Sequence, residues 1–507
     1  MTSAEIESPL MSDHFINYKS KTKIKLELYA NLIRFYAKNS IPDFILNLND
    51  LAGSSIGKGH NKDDTSSYLI LYTYIKNPNN PSSKRKRITY ELSYSQYSTY
   101  EQNLIHVSKW HSQLDNILKK RLYSHSDKLK PFLVLVNPNA GSGKAKNIYF
   151  ERVCPIFSEA NLSDVLVFTQ QQNFAREYVK EAKLDDFAAI LVISGDGLMH
   201  EVINGLMERK DWPTAIKTPL GHIPGGSANA LSCCVAYLSK EVFKGMSIES
   251  FAAQTCFNLT KSLANPLDLV AFELSDRRIV HSFLSFEWAI IADVDLESEK
   301  YRFLGGMRFA LGAVKRIINL RVYRGRFSFV PADDYLDYEP KDSSIKINRQ
   351  KSPIDFNDGG SEEMESKFKH LSPLDKPVPN NWLTIEEDFV LFLVTYLPLI
   401  SSDFLASPQA TFNDGHMHVI FIKQGITKTE LLKLFANTEN GDHLKHHLVE
   451  YVKVKAFRLE PIGLVSNGQV DTSNRGIMMV DGESVPTGPI QAEIMPSLGN
   501  ILANLKE

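Results

Sequence analysis

Three glycine-rich segments could bind an anionic ligand. They read VNPNAGSGK (136–144), SGDG (194–197) and PGGSANA (224–230), and each follows a short apolar run and precedes a helical pattern. Glycine allows backbone N–H groups to approach an anion, and the helix N-terminus that follows adds a favourable dipole. Any one of these segments could be a plain strand-to-helix turn, because such turns need glycine anyway. Three in one predicted sheet indicate a crevice lined with backbone donors, which suits a polyphosphate.

The second segment also carries an acidic side chain, Asp196, between Gly195 and Gly197. It stands at the predicted carboxyl end of a parallel strand, where open α/β sheets place their ligands. A functional carboxylate is one interpretation. The other is that Asp196 caps the helix that it begins, since Asp is a favoured N-cap residue. The sequence around it leaves both open.

The elements that position these segments change character along the chain. From Pro131, apolar runs at 131–136, 165–169 and 188–193 alternate with helical stretches, which predicts a parallel α/β sheet over 131–262. After Ser262 the pattern becomes β-rich and predicts a mainly antiparallel β-sandwich domain over 263–507. Within it, residues 331–381 are rich in Asp, Glu, Lys, Ser and Pro, and we expect a disordered insertion there.

Residues 1–130 form a separate N-terminal extension. Short alternating strands are predicted at 44–48, 68–74 and 88–93, followed by an amphipathic helix that contains Trp110. Strands closed by a C-terminal helix with a Trp are similar to a pleckstrin-homology-like fold. An unrelated α+β extension is the alternative.

Composition excludes several classes of protein. The chain has 507 residues, 43% hydrophobic and 23% charged, and a formal net charge of -2, so it lacks the broad basic surface of a nucleic-acid binder. The longest apolar run, 389–400, is too short to cross roughly 30 Å of hydrocarbon as a helix. The N-terminus shows no secretory signal, and the four cysteines have neither metal spacing nor a disulfide framework. We therefore expect a cytoplasmic protein.

Four segments carry a family resemblance, and the first of them contains the SGDG turn. SGDGLMHEVINGLMERKDWPTAIKTPLG (194–221), IADVDLESEKYR (291–302) with GMRF (306–309), AFRLEP (456–461) and VDGE (480–483) occur in this order. Together they resemble the sphingosine kinases, within the diacylglycerol-kinase-like lipid kinase superfamily. The resemblance covers about 131–495 apart from the expected insertion, and it leaves residues 1–130 unexplained.

The resemblance implies a reaction and a role for each residue. It implies transfer of the γ-phosphate of ATP, with Mg²⁺, to the primary hydroxyl of sphingosine or a related sphingoid base. Asp196 would be the general base with Glu201 nearby, and Asp295 and Ser285 would bind the lipid head group. Asp481 would also approach Mg²⁺. The implied ATP-binding residues are Asn137, Gly141, Gly143, Thr169, Ser194, Gly197, Gly226, Ser227, Arg302, Arg308, Asp481, Gly482 and Glu483.

Rival functions and partners stay open at this point. Ceramide and diacylglycerol are alternative substrates, although Asp295 argues against them because neither carries a basic amine. A catalytically silent, membrane-docking scaffold is the alternative from another class. We expect peripheral membrane contact. Calmodulin, through an amphipathic basic stretch at 308–327, and a second copy of the chain are further candidate partners; a solvated helix face is the plainer interpretation of that stretch. His200 receives no role.

Overall fold

A computed structural model gives the fold of the chain. It describes residues 8–37, 41–59, 61, 63–77, 79–80, 83–122, 130–298, 300, 307–349, 368–462, 464–466, 469–471 and 475–505. Within these residues, no helix combines the length and apolarity needed to span a membrane.

The N-terminal domain is one antiparallel sheet closed by a helix. Its sheet order is β4-β3-β2-β1-β7-β6-β5, and Trp110 of α1 is fully buried against it. The Trp110 indole N–H donates to Asp13 at 2.7 Å, so the large side chain is both packed and hydrogen-bonded. The elements are β1 (Met11–Asn17), β2 (Lys23–Leu28), β3 (Leu32–Tyr36), β4 (Phe44–Asn47), β5 (Leu51–Lys58), β6 (Ser67–Ile75), β7 (Lys86–Tyr94) and α1 (Tyr100–Leu122).

The α/β domain that follows contains the predicted parallel sheet. Its strands are β8 (Phe132–Val136), β9 (Asp164–Phe168), β10 (Ile190–Ser194) and β11 (Leu220–Pro224), in the order β11-β10-β8-β9. The apolar runs of β8 and β10 are buried on both faces, because helices cover both sides of the sheet. The helices are α2 (Ala145–Ile148), α3 (Cys154–Glu159), α4 (Phe174–Glu181), α5 (Asp196–Met207), α6 (Trp212–Ala215), α7 (Ala230–Leu238) and α8 (Ile248–Leu259).

The β domain follows, and its described residues include three helices among the strands. The helices are α9 (Ile290–Ser298), α10 (Met307–Ile318) and α11 (Lys428–Ala436). The strands are β12 (Leu263–Glu273), β13 (Ile279–Ser282), β14 (Ser285–Ala289), β15 (Tyr323–Pro331), β16 (Ile347–Arg349), β17 (Leu383–Thr395), β18 (Leu399–Ser401), β19 (Phe404–Leu405), β20 (Met417–Lys423), β21 (Glu450–Pro461), β22 (Leu464–Ser466), β23 (Gln469–Asp471), β24 (Met478–Val480), β25 (Glu483–Val485) and β26 (Ile490–Ala503).

Strand β26 joins the sheets of the α/β domain and the β domain. It pairs in parallel with β11 through Leu220 and Ile501, and antiparallel with β12 and β21. One continuous hydrogen-bonded path therefore runs from the parallel sheet into the antiparallel one, and the two domains meet along this line.

Two expectations about the β domain are wrong. The predicted disordered insertion at 331–381 contains packed structure in its described part: Tyr338 and Ile345 are buried in the domain core, and Glu450 accepts from the Tyr338 hydroxyl. The segment was misjudged because its few apolar residues are the ones that pack; residues 350–367 lie outside the described residues. The basic stretch 308–327 is not one helix either, since α10 ends at Ile318 and β15 begins at Tyr323.

The N-terminal domain docks tightly on the α/β domain. Glu159 at the end of α3 accepts from the Tyr74 hydroxyl at 2.8 Å and pairs with Arg87. Beside it, the buried Arg85 guanidinium bonds Glu241 at 3.0 Å. A Cβ added at Gly53 would lie 2.2 Å from the Glu159 carbonyl oxygen, so β5 runs against α3 where only glycine fits. The buried Arg85–Glu241 ion pair, the half-exposed Arg87–Glu159 pair and backbone contact hold the two domains together.

Candidate active site

The three glycine-rich turns of the α/β domain pack directly on one another. A Cβ added at Gly141 would lie 2.9 Å from the carbonyl carbon of Gly226, and one at Gly226 would lie 2.3 Å from the Cα of Gly195. Gly141 also has a φ of 53°, a conformation that L side chains rarely adopt. The turns therefore form one compact backbone surface at the carboxyl ends of β8, β10 and β11, as the sequence predicted for a phosphate-binding crevice.

A single cleft of ≈ 1050 Å³ lies between this surface and the β domain. Most of the residues predicted for the site line it: Asn137, Gly141, Thr169, Ser194, Asp196, Gly197, Glu201, Gly226, Ser227, Ser285, Asp295, Asp481, Gly482 and Glu483. Gly143 does not line the cleft; its φ of 75° serves the turn. Arg302 lies outside the described residues, and Arg308 belongs to α10 with its side chain outside them. The roles of these residues stay predictions.

Asp196 is held in place by a neighbouring helix. Gly195 is the N-cap of α5 and Asp196 is its first residue, so Asp196 does not cap its own helix. Its two carboxylate oxygens instead accept from the backbone N–H groups of Ala230 at 2.9 Å and Leu231 at 3.0 Å, at the start of α7. The side chain is thus fixed by two donors at a helix N-terminus while it still lines the cleft.

His222 supports the turn before Asp196 through hydrogen bonds of both its ring nitrogens. This buried side chain bonds the Ser194 carbonyl oxygen through Nε2 at 3.1 Å and Ser232 Oγ through Nδ1 at 2.8 Å. Since a carbonyl can only accept, the proton lies on Nε2. Burial lowers the pKa of His222, and the charge of Asp196 opposes that shift. The neutral imidazole therefore fixes the Ser194 carbonyl.

Glu201, one turn further along α5, supports the loop 169–173. Its carboxylate accepts from the backbone N–H of Asn173 at 3.0 Å and of Ala175 at 3.1 Å, and so holds the start of α4. The loop in turn lines the cleft. These contacts show that Glu201 supports the loop, and its catalytic role stays a prediction.

Asp481 occupies a tight hairpin turn between β24 and β25, with φ of 52° followed by 78° at Gly482. Its fully buried carboxylate accepts from Ser282 Oγ, from three consecutive backbone N–H groups at 283–285 and from His200 Nδ1. Five donors saturate the lone pairs of a carboxylate. These contacts organise the turn before β14, and the role of Asp481 as a metal ligand stays a prediction.

The charged side chains that line the cleft indicate how it could hold a metal ion. Its basic described residues, Arg176 and Arg278, pair with Glu208 and Asp276, whereas several carboxylates line it. In the described part of the chain, no group of three or more His, Cys, Asp or Glu side chains could hold a metal ion. The residues present fit Mg²⁺ that arrives on the nucleotide phosphates, because Mg²⁺ commonly takes only one or two carboxylates from the protein. Glu483, whose Oε1 lies 2.9 Å from a Cβ added at Gly197, fits as one.

Sequence reasoning missed two residues of the site. Glu287 is buried, lines the cleft and accepts from Ser285 Oγ at 3.2 Å. The sequence feature that could have revealed Glu287 is an acidic side chain within β14, a strand whose residues are all buried. His200 was set aside, yet it bonds Asp481 across the cleft, a contact between residues 281 positions apart that no local pattern could show.

The far end of the cleft is an apolar slot in the β domain. Ile291, Val294, Ala313, Ile317, Phe404 and Phe435 line it, from α9, α10, the β18–β19 hairpin and α11. Asp295 stands on α9 between the slot and the turn of Asp481, and its Oδ2 lies 3.5 Å from a Cβ added at Gly482. One carboxylate therefore separates the polar end of the cleft from the apolar end.

Comparison with known proteins defines the class and then the family. Residues 131–269 match the diacylglycerol kinase catalytic domain, and residues 392–503 match the YegS C-terminal NAD kinase beta sandwich-like domain. A putative diacylglycerol kinase from Bacillus anthracis is among the similar solved structures, with TM-score 0.48, 18% identity and coverage of 75% of this chain and 97% of that one. The two family matches assign the α/β domain and the β domain to the two-domain unit of a lipid kinase of the diacylglycerol kinase type.

Individual relatives identify a family within this class of lipid kinases. Sphingosine kinase 1 of Mus musculus is 37% identical over 369 residues, covering 72% of this chain and 89% of its own. Sphingosine kinase 2 of Homo sapiens is 28% identical and covers 98% of this chain and 91% of its own. Sphingoid long chain base kinase 4 of Schizosaccharomyces pombe is 31% identical over 75% of this chain. The chain belongs to the sphingosine kinase family.

Proposed function

We propose that the chain transfers the γ-phosphate of ATP to the primary hydroxyl of a sphingoid base such as sphingosine. One observation carries the proposal: a single cleft joins a backbone phosphate surface, a fixed carboxylate at Asp196, an acidic group at Asp295 and an apolar slot. Family membership supports it independently. Asp196 would orient and deprotonate the hydroxyl while the slot holds the chain of the lipid.

Phosphoryl transfer depends mainly on positioning and charge neutralisation. The turns at Gly141, Gly195 and Gly226 would hold the phosphates, and Mg²⁺ would neutralise charge on them. Asp295, with Ser285 and Glu287 nearby, would bind the ammonium and hydroxyl groups of the head. Ceramide and diacylglycerol carry no ammonium group for these carboxylates to bind.

A lipid panel tests this proposal. Purified protein with labelled ATP and Mg²⁺ should phosphorylate sphingosine far faster than ceramide or diacylglycerol, and the reverse ranking would overturn the substrate assignment. Asp295→Asn should reduce the preference for sphingosine, because the amide carries no charge. Asp196→Asn should reduce turnover with every lipid, and wild-type turnover of that variant would exclude Asp196 as the base.

We also propose peripheral membrane contact through an apolar patch beside the slot. Leu311, Val314 and Ile318 of α10 and Leu432 of α11 are 50%, 48%, 62% and 43% exposed. Val314 and Leu432 also line the cleft, so the patch is continuous with the slot and would face the bilayer that supplies the lipid. Leu311→Asp with Ile318→Asp should weaken sedimentation with lipid vesicles. Leu336→Asp, at an equally exposed position, should not.

We propose, finally, three units: 1–130, 131–262 and 263–507, the first being pleckstrin-homology-like. Seven antiparallel strands closed by α1, with Trp110 buried beneath it, support this interpretation. A cytoplasmic location with transient visits to membranes would suit the proposed substrate. Secreted protein with all activity in the medium would contradict it.

A further inference from the structure

Helix α5 pairs its Asn204 side chain with the edge of the β domain. The Asn204 amide N–H donates to the His281 carbonyl at 2.9 Å, and its Oδ1 accepts from the His281 backbone N–H at 2.9 Å. Among the described strands β13 pairs only with β12, and Asn204 bonds the His281 peptide on the opposite edge of β13. The buried amide completes that edge as a strand would.

One turn earlier, His200 on the same helix makes a second contact with the β domain. Its Nδ1 lies 2.9 Å from Asp481 Oδ2. Because the carboxylate accepts from all its other neighbours, the shared proton belongs to His200, which donates through Nδ1. Nε2 has no hydrogen-bond partner among the described residues, and His200 lines the cleft.

These contacts connect the two halves of the site. Helix α5 begins with Asp196, the proposed base. The Asp481 carboxylate accepts from the backbone N–H of Ser285. Strand β14 starts at Ser285 and leads directly into α9, which carries Asp295. A short chain of hydrogen bonds thus runs from the helix of the base to the residues proposed to hold the lipid head.

We propose that His200 is a positioning residue: with Asn204 it latches the β domain onto α5 and sets the separation between Asp196 and the lipid-binding residues Ser285 and Asp295. The inference rests on the proposed function for its activity readout. A misplacement of about 1 Å between reacting groups can cost on the order of 100-fold in rate. Loss of the latch should therefore lower kcat more than nucleotide affinity, since the phosphate turns lie within the α/β domain.

Three variants at one position separate the two ring nitrogens. Asn can present an amide N–H near the place of Nδ1, Gln presents one nearer Nε2, and Leu presents neither. If the bond to Asp481 is what matters, His200→Leu and His200→Gln should lower kcat by about 10- to 100-fold with KM for ATP within about 3-fold, and His200→Asn should recover most of the loss. Thermal unfolding of each variant should show that it is folded.

Two kinetic outcomes would overturn the inference. Wild-type kcat in His200→Leu would show that the contact positions nothing. Recovery by Gln rather than Asn would assign the effect to Nε2 and hence to a direct role in the cleft.

A distance measurement tests the latch without activity. Cys154 on α3 is exposed, whereas Cys233, Cys234 and Cys256 are buried. One added cysteine at an exposed position of α11, Lys433→Cys, therefore gives a spin-label pair across the two domains. Asn204→Leu and His200→Leu should broaden the distance distribution, and His200→Asn should not. Unchanged distributions in both leucine variants would overturn the latch. Leucine variants that broaden as described, together with a wild type that phosphorylates no sphingoid base, would refute the proposed function alone.

Discussion

The packing of the glycine turns predicts a steep asymmetry between two adjacent substitutions. In Gly226→Ala the new methyl would lie 2.3 Å from the Cα and 2.6 Å from the N of Gly195. Carbon atoms pack at about 3.5 to 4.0 Å, so the turns at 195 and 226 must separate by at least about 1 Å. Neither contact is with a flexible side chain that could rotate away.

Such a separation should disrupt the phosphate surface. We expect kcat/KM for ATP to fall by about 100-fold, equivalent to about 2.7 kcal/mol of lost transition-state stabilisation. Gly195→Ala is the matched control, because its methyl would meet the Gly226 Cα at 3.4 Å, an ordinary contact, and the φ of Gly195 is -84°. That variant should lose less than about 5-fold, including the small cost of a poorer N-cap.

Steady-state kinetics with varied ATP and saturating sphingosine, together with thermal unfolding, would measure both variants. Equal losses in the two, or wild-type kcat/KM in Gly226→Ala, would refute the argument that backbone contact between the turns shapes the phosphate site.

Three other predictions follow from buried groups. Glu287→Gln should raise KM for sphingosine while leaving KM for ATP unchanged, because it removes a charge from the proposed site of the lipid head; equal effects on both would contradict this, and initial rates decide. Burial lowers the pKa of His443 to about 4, below its unfolded value, so stability is full above about pH 6.5 and falls as pH drops towards 4. Urea unfolding should show wild type losing about 2 kcal/mol more than His443→Phe between pH 7 and pH 5, and parallel losses would exclude His443. Glu159→Gln should weaken docking of the N-terminal domain and destabilise the protein by about 1 to 3 kcal/mol, whereas Glu151→Gln, exposed on the preceding turn, should be silent in the same assay.

Much of the α/β domain could be predicted from local pattern. Continuous apolar runs identified β8 and β10 because both faces of a parallel strand are buried, and glycine spacing identified the turns that meet at Gly226. Residues 331–349 could not be predicted, since Tyr338 and Ile345 are too few to give a periodic signal and their burial depends on strands far away in the chain.

The candidate site shows the same division. Residue type and spacing singled out Asp196, and the family resemblance pointed to Asp295, but neither showed what holds these side chains. The family resemblance implied a metal-binding role for Asp481, but it could not show the donors around the carboxylate, which come from 282–285 and from α5. Long-range hydrogen bonds of this kind leave no periodicity, so His200 and Glu287 emerged only from the fold.

Strand β26 has a consequence for the order of folding. Leu263 at the start of β12 pairs with Ala503, so about half of the chain must be synthesised between the two partners. Neither the antiparallel sheet nor the edge of β11 can be completed until β26 has been synthesised. The α/β domain therefore leaves the ribosome with an unpaired edge, and the lipid kinase unit should acquire protease resistance in one late step rather than domain by domain.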